Sequence, residues 1–377
     1  MKENYCATWA SSQYLTEDFN MPRLNLSNKS LRQIVHTSIG GDKIRVRFSN
    51  RVGDSELTIK KADIAVSESQ GSGKIIKDTD KVLTFGNTES VTIKPGEEVY
   101  SDPLDFSFPP LTELSVTIHF GKVPSKLTGH PGSRTFSFPA KGNKTCKKSI
   151  TRFYKTAHWY VLAGIEVCSA LENKAVICFG DSITDGRGST DDLQNRWTDN
   201  LSRIIQKSDF LENKPAVINQ GIGGTCVLIQ GVERFKRDVL EQKGAAFIVL
   251  LYGVNDIIYL NADDSKIIEC YKNMIAEAHR NNLKIYGATI LPFKNFGDYT
   301  LEREIVRKKV NAWIKDNAGK TEGFDAYIDF ESYMKDPLNP DCLKKEFDCG
   351  DGLHPSAKGY EQMPKAFTDL SLFKWQA

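Results

Sequence analysis

The stretch that decides the fold of this 377-residue chain is residues 175–186, AVICFGDSITDG. Its first five residues form an unbroken apolar run, which is typical of a strand covered on both faces in a parallel sheet. Similar runs occur at 246–251 and 285–290, and apolar residues spaced like one face of a helix lie at 267–278 and 301–313. Strands alternating with helices predict a doubly wound, flavodoxin-like α/β domain, in which ligands bind at the carboxyl ends of the strands.

The part of the chain before this stretch has a different period. Apolar and polar residues alternate at 43–48, 114–120 and 159–167, as expected for strands with one face in water. Turn-forming residues at 49–54 and 94–97 separate such strands. We therefore predict an antiparallel β-sandwich of the jelly-roll type over residues 1–170, followed by the α/β domain over residues 171–377.

Residues suited to acyl-transfer chemistry follow the apolar runs. Ser182 comes directly after the first run, on a glycine-flanked turn that exposes a hydroxyl and directs backbone N–H groups towards it. Gly224 ends a glycine-rich stretch, and Asn255 follows the next apolar run. Asp351 precedes His354 by three residues, a spacing at which a carboxylate can bond the ring and set its tautomer. Taken singly, each stretch also fits a helix cap or a tight turn.

Taken together, the four stretches resemble the four sequence blocks of the SGNH/GDSL hydrolase family, in the same order, over residues 174–370. The resemblance implies an SGNH hydrolase fold and a serine esterase in which Ser182 is the nucleophile, His354 is the base and Asp351 orients the imidazole. It also implies an oxyanion hole made of the backbone N–H groups of Ser182 and Gly224 and the side chain of Asn255.

The substrate is predicted from a second resemblance. Residues 8–12 and 31–36 are similar to the β-sandwich that precedes the catalytic domain in some two-domain carbohydrate esterases. This favours removal of acetyl groups from acetylated xylan or its oligosaccharides. Trp197, Tyr252 and Phe293 lie near the blocks and are candidates for stacking against sugar rings, although aromatic residues at such positions are more often part of the core.

Other functions stay open at this point. They are a lysophospholipase or thioesterase type of acyl hydrolase, and a carbohydrate-binding protein whose esterase site is vestigial. The balance of 50 basic and 48 acidic residues gives no electrostatic reason to expect nucleic acid or an anionic membrane as a partner. A small-molecule or oligosaccharide ester is the expected ligand, and a homo-oligomer is left open.

No cofactor or metal is expected, because the sequence has no His-Glu-x-x-His, no paired Cys-x-x-Cys and no glycine-rich phosphate loop. The sequence contains no secretory signal, so a cytoplasmic location is expected, or a secreted one if a signal has been removed. Cys342 and Cys349 can form a disulfide in an oxidising compartment.

Overall fold

The computed structural model describes residues 4–150, 154–168 and 173–375. The chain divides into two compact units, Met1–Ala170 with Thr190–Gln194, and Leu171–Ser189 with Asn195–Ala377. The predicted domain boundary between residues 170 and 171 lies outside the described residues. Not one of the described helices combines the length and the apolar character that crossing a bilayer requires.

The first unit consists mostly of antiparallel strands. They are β1 (Tyr5–Ala10), β2 (Tyr14–Leu15), β3 (Lys29–His36), β4 (Gly41–Ser49), β5 (Leu57–Val66), β6 (Lys81–Leu83), β7 (Val91–Ile93), β8 (Glu98–Tyr100), β9 (Leu104–Phe108), β10 (Glu113–Phe120), β11 (Thr128–His130), β12 (Phe138–Lys141), β13 (Trp159–Tyr160) and β14 (Leu162–Cys168). A five-stranded sheet has the order β1-β14-β4-β8 with β9 on β4, and a six-stranded sheet has the order β12-β3-β10-β5-β6 with β7 on β5. A third sheet, β13-β11-β2, completes the unit, and the arrangement is consistent with a β-sandwich.

The predicted alternation of buried and exposed residues holds in some strands and fails in others. In β4 the apolar residues are fully buried and the basic residues between them are partly exposed. In β10 the polar residues Ser115 and Thr117 are as buried as their apolar neighbours. β10 is a central strand paired with β3 and β5, and the hydroxyls of Ser115 and Thr117 are bonded to Ser67 and Arg32 at 2.9 and 2.8 Å. Because hydrogen bonds inside the protein satisfy these hydroxyls, both faces of β10 can be covered by protein.

The second unit is an α/β domain with a parallel five-stranded sheet. The strands are β15 (Ala175–Gly180), β16 (Ala216–Gly221), β17 (Ala245–Leu251), β18 (Lys284–Ala288) and β19 (Ala326–Ile328). The order β16-β15-β17-β18-β19 corresponds to 2-1-3-4-5, the order of flavodoxin-like doubly wound sheets. The α/β prediction is therefore confirmed, and the switch in strand order lies at β15, directly before Ser182.

Helices connect and cover these strands. They are α1 (Ser182–Asp185), α2 (Trp197–Lys207), α3 (Val232–Phe235), α4 (Val254–Tyr259), α5 (Asp264–Arg280), α6 (Leu301–Asp316), α7 (Phe330–Met334) and α8 (Ala357–Gln362). Wide helical turns, Val227–Gly231 and Lys236–Leu240, extend α3 at both ends. The buried face of α5 is the one that its apolar spacing predicts.

The apolar stripe predicted for residues 301–313 is confirmed at Val310, which is buried, and wrong at its first members. In α6, Leu301 and Ile305 are 65% and 48% exposed, whereas Glu304, Arg307 and Asn311 are buried. The helix turns this polar face inwards because Arg307 forms a buried ion pair with Glu304, with 2.6 Å between nitrogen and oxygen. Asn311 donates to a backbone carbonyl, so the inward polar groups are paired.

Candidate active site

Ser182 lies at the point where β15 becomes α1. Asp181 caps this short helix, since its carboxylate accepts the backbone N–H of Ile183 at 3.0 Å. Burial raises the pKa of the Asp181 carboxyl to about 7. Gly180 has no room for a side chain, because a Cβ there would lie 2.4 Å from the carbonyl oxygen of Leu251. The tight approach of strand and helix therefore places the serine at the edge of the sheet.

The hydroxyl of Ser182 is hydrogen-bonded to the ring of His354, with 2.8 Å between Oγ and Nε2. The other ring nitrogen, Nδ1, is 2.7 Å from Oδ2 of Asp351. The second carboxylate oxygen of Asp351 accepts the backbone N–H groups of Leu353 and His354 at 3.0 and 2.9 Å. The structure thus joins three of the predicted residues, from segments 172 positions apart, into one hydrogen-bonded series.

The environment of Asp351 keeps its carboxylate charged. Burial raises its pKa, but the hydrogen bonds from the backbone and the ring of His354 outweigh burial and lower the pKa to about 2. A carboxylate on Nδ1 holds the proton of the neutral ring there and leaves Nε2 as an acceptor for the Ser182 hydroxyl. This is the arrangement that a general base requires.

The segment that carries Gly224, one of the predicted oxyanion donors, passes close to Ser182. A Cβ on Gly223 would be 3.8 Å from the Cβ of Ser182, and a Cβ on Gly224 would meet nothing within 4 Å. Within the described residues, no acceptor bonds the backbone N–H of Ser182 or of Gly224. Asn255 is buried in the first turn of α4, and its Nδ2 donates to the carbonyl of Thr225 at 2.9 Å. One amide hydrogen of Asn255 is therefore used for positioning, and the other is left for a ligand.

Asp256, the residue after Asn255, has a structural role. Its carboxylate accepts the backbone N–H groups of Val227 and Leu228, each at 2.9 Å. Burial raises the pKa of the Asp256 carboxyl, and these two hydrogen bonds act in the opposite direction. The contacts join the start of α4 to the turn after Gly224, so the segments that carry Gly224 and Asn255 are held to each other.

The three aromatic residues proposed for sugar contacts are in the core. Trp197, Tyr252 and Phe293 are at most 1% exposed. Trp197 packs edge-on against Phe330, with 5.3 Å between ring centroids, and Phe293 packs against Tyr299. Because their rings are covered by protein, they offer no face to a sugar, and the structure assigns them to packing.

One charged residue beside the triad was missed by the sequence analysis. Nε of Arg187 is 3.9 Å from Oδ2 of Asp351, and the Arg187 side chain is 62% exposed. Arg187 follows Ser182 by five residues and stands between two glycines. That position in the sequence is the signal by which it could have been predicted as a residue at the rim of the site.

Two groups of acidic and thiol side chains among the described residues bring three ligand atoms within 4.8 Å of one another. They are Asp348, Cys349 and Asp351, and Asp63, Asp80 and Cys146. Asp351 is engaged by His354, and Asp80 forms a 2.6 Å ion pair with Lys77. We assign no metal to either group. Cys342 and Cys349 are both free thiols in this structure.

Comparisons with known proteins match the second part of the chain. Residues 178–362 match the model of the GDSL-like lipase/acylhydrolase family, a region that contains every predicted triad and oxyanion residue. A search of curated proteins finds no match.

Solved structures similar to part of the chain include three bacterial proteins. A putative G-D-S-L lipolytic protein from Desulfitobacterium hafniense is 22% identical over 52% of this chain and 97% of its own, with a TM-score of 0.41. A lipase/acylhydrolase from Enterococcus faecalis is 24% identical over 54% of this chain and 100% of its own, with a TM-score of 0.42. An acetyl-xylooligosaccharide esterase from Geobacillus stearmophilus, as a mutant, is 19% identical over 54% and 96%, with a TM-score of 0.41.

Proposed function

We propose that this chain, whose residues 178–362 form a domain of the GDSL-like lipase/acylhydrolase family, hydrolyses short acyl esters by nucleophilic catalysis at Ser182. The observation that carries the proposal is the series of hydrogen bonds from Ser182 through His354 to Asp351, at 2.8 and 2.7 Å. A serine hydroxyl bonded to a base that a carboxylate orients is the arrangement expected of an activated nucleophile.

The chemistry proceeds in two halves. Oγ of Ser182 bonds to the ester carbonyl carbon while Nε2 of His354 takes the hydroxyl proton. The tetrahedral intermediate then expels the alcohol, which receives that proton from His354, and an acyl-serine remains. In the second half, His354 deprotonates a water molecule that attacks the acyl group, and the carboxylic acid leaves as Ser182 regains its proton. Asp351 stays ionised throughout and stabilises the charged imidazole.

The oxyanion of each tetrahedral intermediate is stabilised by three donors. They are the backbone N–H groups of Ser182 and Gly224 and the free amide hydrogen of Asn255. Donors that are already in position before the reaction lower the barrier without having to reorganise.

For the substrate we propose acetyl groups on a carbohydrate, with acetylated xylan or its oligosaccharides first. The support is the resemblance of residues 8–12 and 31–36 to the sandwich of two-domain carbohydrate esterases, and the antiparallel sheets of the first unit. A jelly-roll arrangement of those sheets is part of this proposal. The sugar would contact the protein through residues other than Trp197, Tyr252 and Phe293, since these are buried.

A second candidate function is hydrolysis of longer acyl chains, as in a lysophospholipase or thioesterase. It is favoured by exposed apolar side chains on the segments that follow Gly224 and Asn255. Ile229 and Val232, after Gly224, are 43% and 50% exposed, and Tyr259, one helical turn after Asn255, is 56% exposed. Apolar groups exposed near a site are suited to contact with an acyl chain.

The experiment that tests the function measures hydrolysis of p-nitrophenyl acetate before and after a fluorophosphonate, which reacts with activated serines. We expect turnover that the reagent abolishes, with the label on Ser182. A folded protein that neither turns over the ester nor takes the label contradicts the proposal and leaves a binding protein with a vestigial site.

The substrate class is tested by comparing kcat/KM for the acetate, butyrate and octanoate esters, followed by acetate release from acetylated xylan. The sugar-acetate proposal expects a preference for acetate. A preference for octanoate that is lost in Val232→Ser, with acetate hydrolysis retained, would replace it with the second candidate.

A further inference from the structure

The buried side chain of Arg234 contacts the ends of two neighbouring strands of the parallel sheet. It is only 4% exposed. Nη2 donates to the carbonyl of Gly180 at 2.7 Å, and Nη1 donates to the carbonyl of Gln220 at 2.8 Å. Gly180 ends β15 directly before Asp181 and Ser182, and Gln220 is the penultimate residue of β16, which leads to Gly224. One guanidinium thus bonds the strand that carries the nucleophile to the strand that carries an oxyanion donor.

The same guanidinium reaches the third strand end. Nε and Nη2 of Arg234 contact the hydroxyl of Tyr252, directly after β17, at 3.2 and 2.7 Å. That hydroxyl is 2.7 Å from Oγ1 of Thr225, and the carbonyl of Thr225 accepts the amide of Asn255. Hydrogen bonds therefore connect Arg234, through the hydroxyl of Tyr252 and the residue Thr225, to the side chain that is proposed to bind the oxyanion.

Two further contacts fix the orientation of the guanidinium. Nη1 of Arg234 forms an ion pair with the buried carboxylate of Asp238 at 3.0 Å, and the guanidinium carbon is 4.2 Å from the centre of the Phe179 ring. The five hydrogen bonds described here match the five N–H donors of an arginine, which lie in one rigid plane. A lysine ammonium has three donors at a single point and cannot reproduce this set.

We propose that Arg234 is a positioning residue that sets the relative placement of Ser182, Gly224 and Asn255. The proposal rests on the function proposed above, because it assigns a purpose to the geometry of that site. Arg234 does not touch the substrate; it acts through the strand ends that carry the reacting groups. Displacements of about 1 Å at such groups lower rates by about a hundredfold, so loss of this contact set is expected to act on kcat.

The test compares Arg234→Met and Arg234→Lys with the matched control Arg237→Met. Arg237 is three residues further along, is more exposed than Arg234, and also pairs with Asp238, with 2.9 Å between Nη2 and Oδ2. We expect both Arg234 variants to lose about 10- to 1,000-fold in kcat for p-nitrophenyl acetate, with KM changed by less than about threefold. Arg237→Met should keep both constants within about threefold.

A milder variant covers the case in which Arg234 variants do not fold. Tyr252→Phe removes only the hydroxyl that links Arg234 to Thr225. We expect this variant to lose about tenfold in kcat. In the double variant Tyr252→Phe/Asn255→Ala, the loss in kcat should be clearly smaller than the product of the two single losses, because both changes act on the same donor. Multiplicative losses, or unchanged kcat in Tyr252→Phe and in a folded Arg234→Met, overturn the proposal.

A crystal structure of Arg234→Met, or of Tyr252→Phe if the former does not fold, gives a readout that is independent of activity. We expect the amide nitrogen of Asn255 to move by about 1 Å relative to Oγ of Ser182. Unchanged positions would reject the positioning role even if the protein were inactive on every ester. Absence of wild-type hydrolysis and labelling, together with the expected displacement, would instead reject the proposed function alone.

Discussion

At the scale of single residues, the site combines one partly buried charge with two groups that must stay neutral until the reaction begins. Asp351 is kept ionised by its hydrogen bonds, while Ser182 and His354 share a single proton-transfer contact of 2.8 Å. The roles of these residues can therefore be separated by substitution, because each removes a different property: the nucleophile, the base, the orienting charge or an oxyanion donor.

Replacing Ser182 with alanine should lower kcat for p-nitrophenyl acetate by about 10⁶-fold, since no other group can form the acyl intermediate. The measurement is steady-state hydrolysis with the purified variant, with Ser265→Ala, an exposed serine at the start of α5, as the control. Residual turnover within a hundredfold of the wild type would show that another residue is the nucleophile.

Asn255→Ala should lower kcat by about 10²–10³-fold and leave KM nearly unchanged, because the lost donor acts mainly on the charge that develops in the transition state. The comparison needs kcat and KM determined separately on the same ester. If KM rises while kcat is unchanged, Asn255 binds the substrate and is not an oxyanion donor.

Asp351→Asn should make the stability of the protein less dependent on pH at the acid end. The folded-state pKa of Asp351 is about 2, below the 3.8 of an ordinary aspartate, so the ionised carboxylate stabilises the fold above pH 4 and this contribution is lost as the pH falls through 2. Urea unfolding of the wild type and the variant should give a difference in unfolding free energy that narrows from pH 5 to pH 2. A difference that stays constant over this range would contradict the assignment.

At the scale of secondary-structure elements, the spacing of apolar residues predicted the buried face correctly where that face is apolar. It failed where the buried face carries polar groups that are paired inside the fold. Sequence spacing alone shows which residues are buried in β15 and β17, which are uniformly apolar runs, and in α5, which has one apolar stripe. In α6 the buried face carries Glu304, Arg307 and Asn311. The pairing of Glu304 with Arg307 lies within the helix, but the other partners, Glu331 for Arg307 and the carbonyl of Ile290 for Asn311, come from distant segments. Such partners cannot be read from the spacing of residues within one helix.

Arg307 provides the stability test of this interpretation. Its guanidinium is fully buried and pairs with Glu304 and Glu331 at 2.6 and 2.7 Å. Arg307→Ala removes the buried cation from two carboxylates, which keep the longer ion pairs of Glu304 with Lys308 and of Glu331 with Lys315. It should lower the free energy of unfolding by about 3–5 kcal/mol. Ile305→Ala, on the exposed face of the same helix, should change it by less than about 1 kcal/mol, measured by urea denaturation. Equal effects would restore the apolar stripe predicted from the sequence.

At the scale of the whole molecule, the fold class and the site could be predicted for different reasons. The change of period near residue 174 separates antiparallel from parallel strands, because each kind of sheet buries its faces differently. The site could be located because parallel strands end at one edge, which collects Ser182, Gly224 and Asn255 from distant parts of the sequence. Arg234 was missed because its function depends on carbonyl groups of other strands, and backbone carbonyls leave no signature in the sequence.

We expect the thermal stability of the whole molecule not to depend on disulfide bonds. All eight cysteines are free thiols in the structure, and Cys342 donates to the side chain of Asn295 at 3.4 Å. Loss of a native disulfide lowers stability by about 2–5 kcal/mol, which in a domain of this size corresponds to a fall in Tm of several degrees. Calorimetry with and without a thiol reductant should therefore give the same Tm. A fall in Tm on reduction that disappears both in Cys342→Ser and in Cys349→Ser would establish a disulfide between these two residues. Because Cys349 donates its backbone N–H to the carbonyl of His354, the same comparison should then be repeated with esterase activity as the readout.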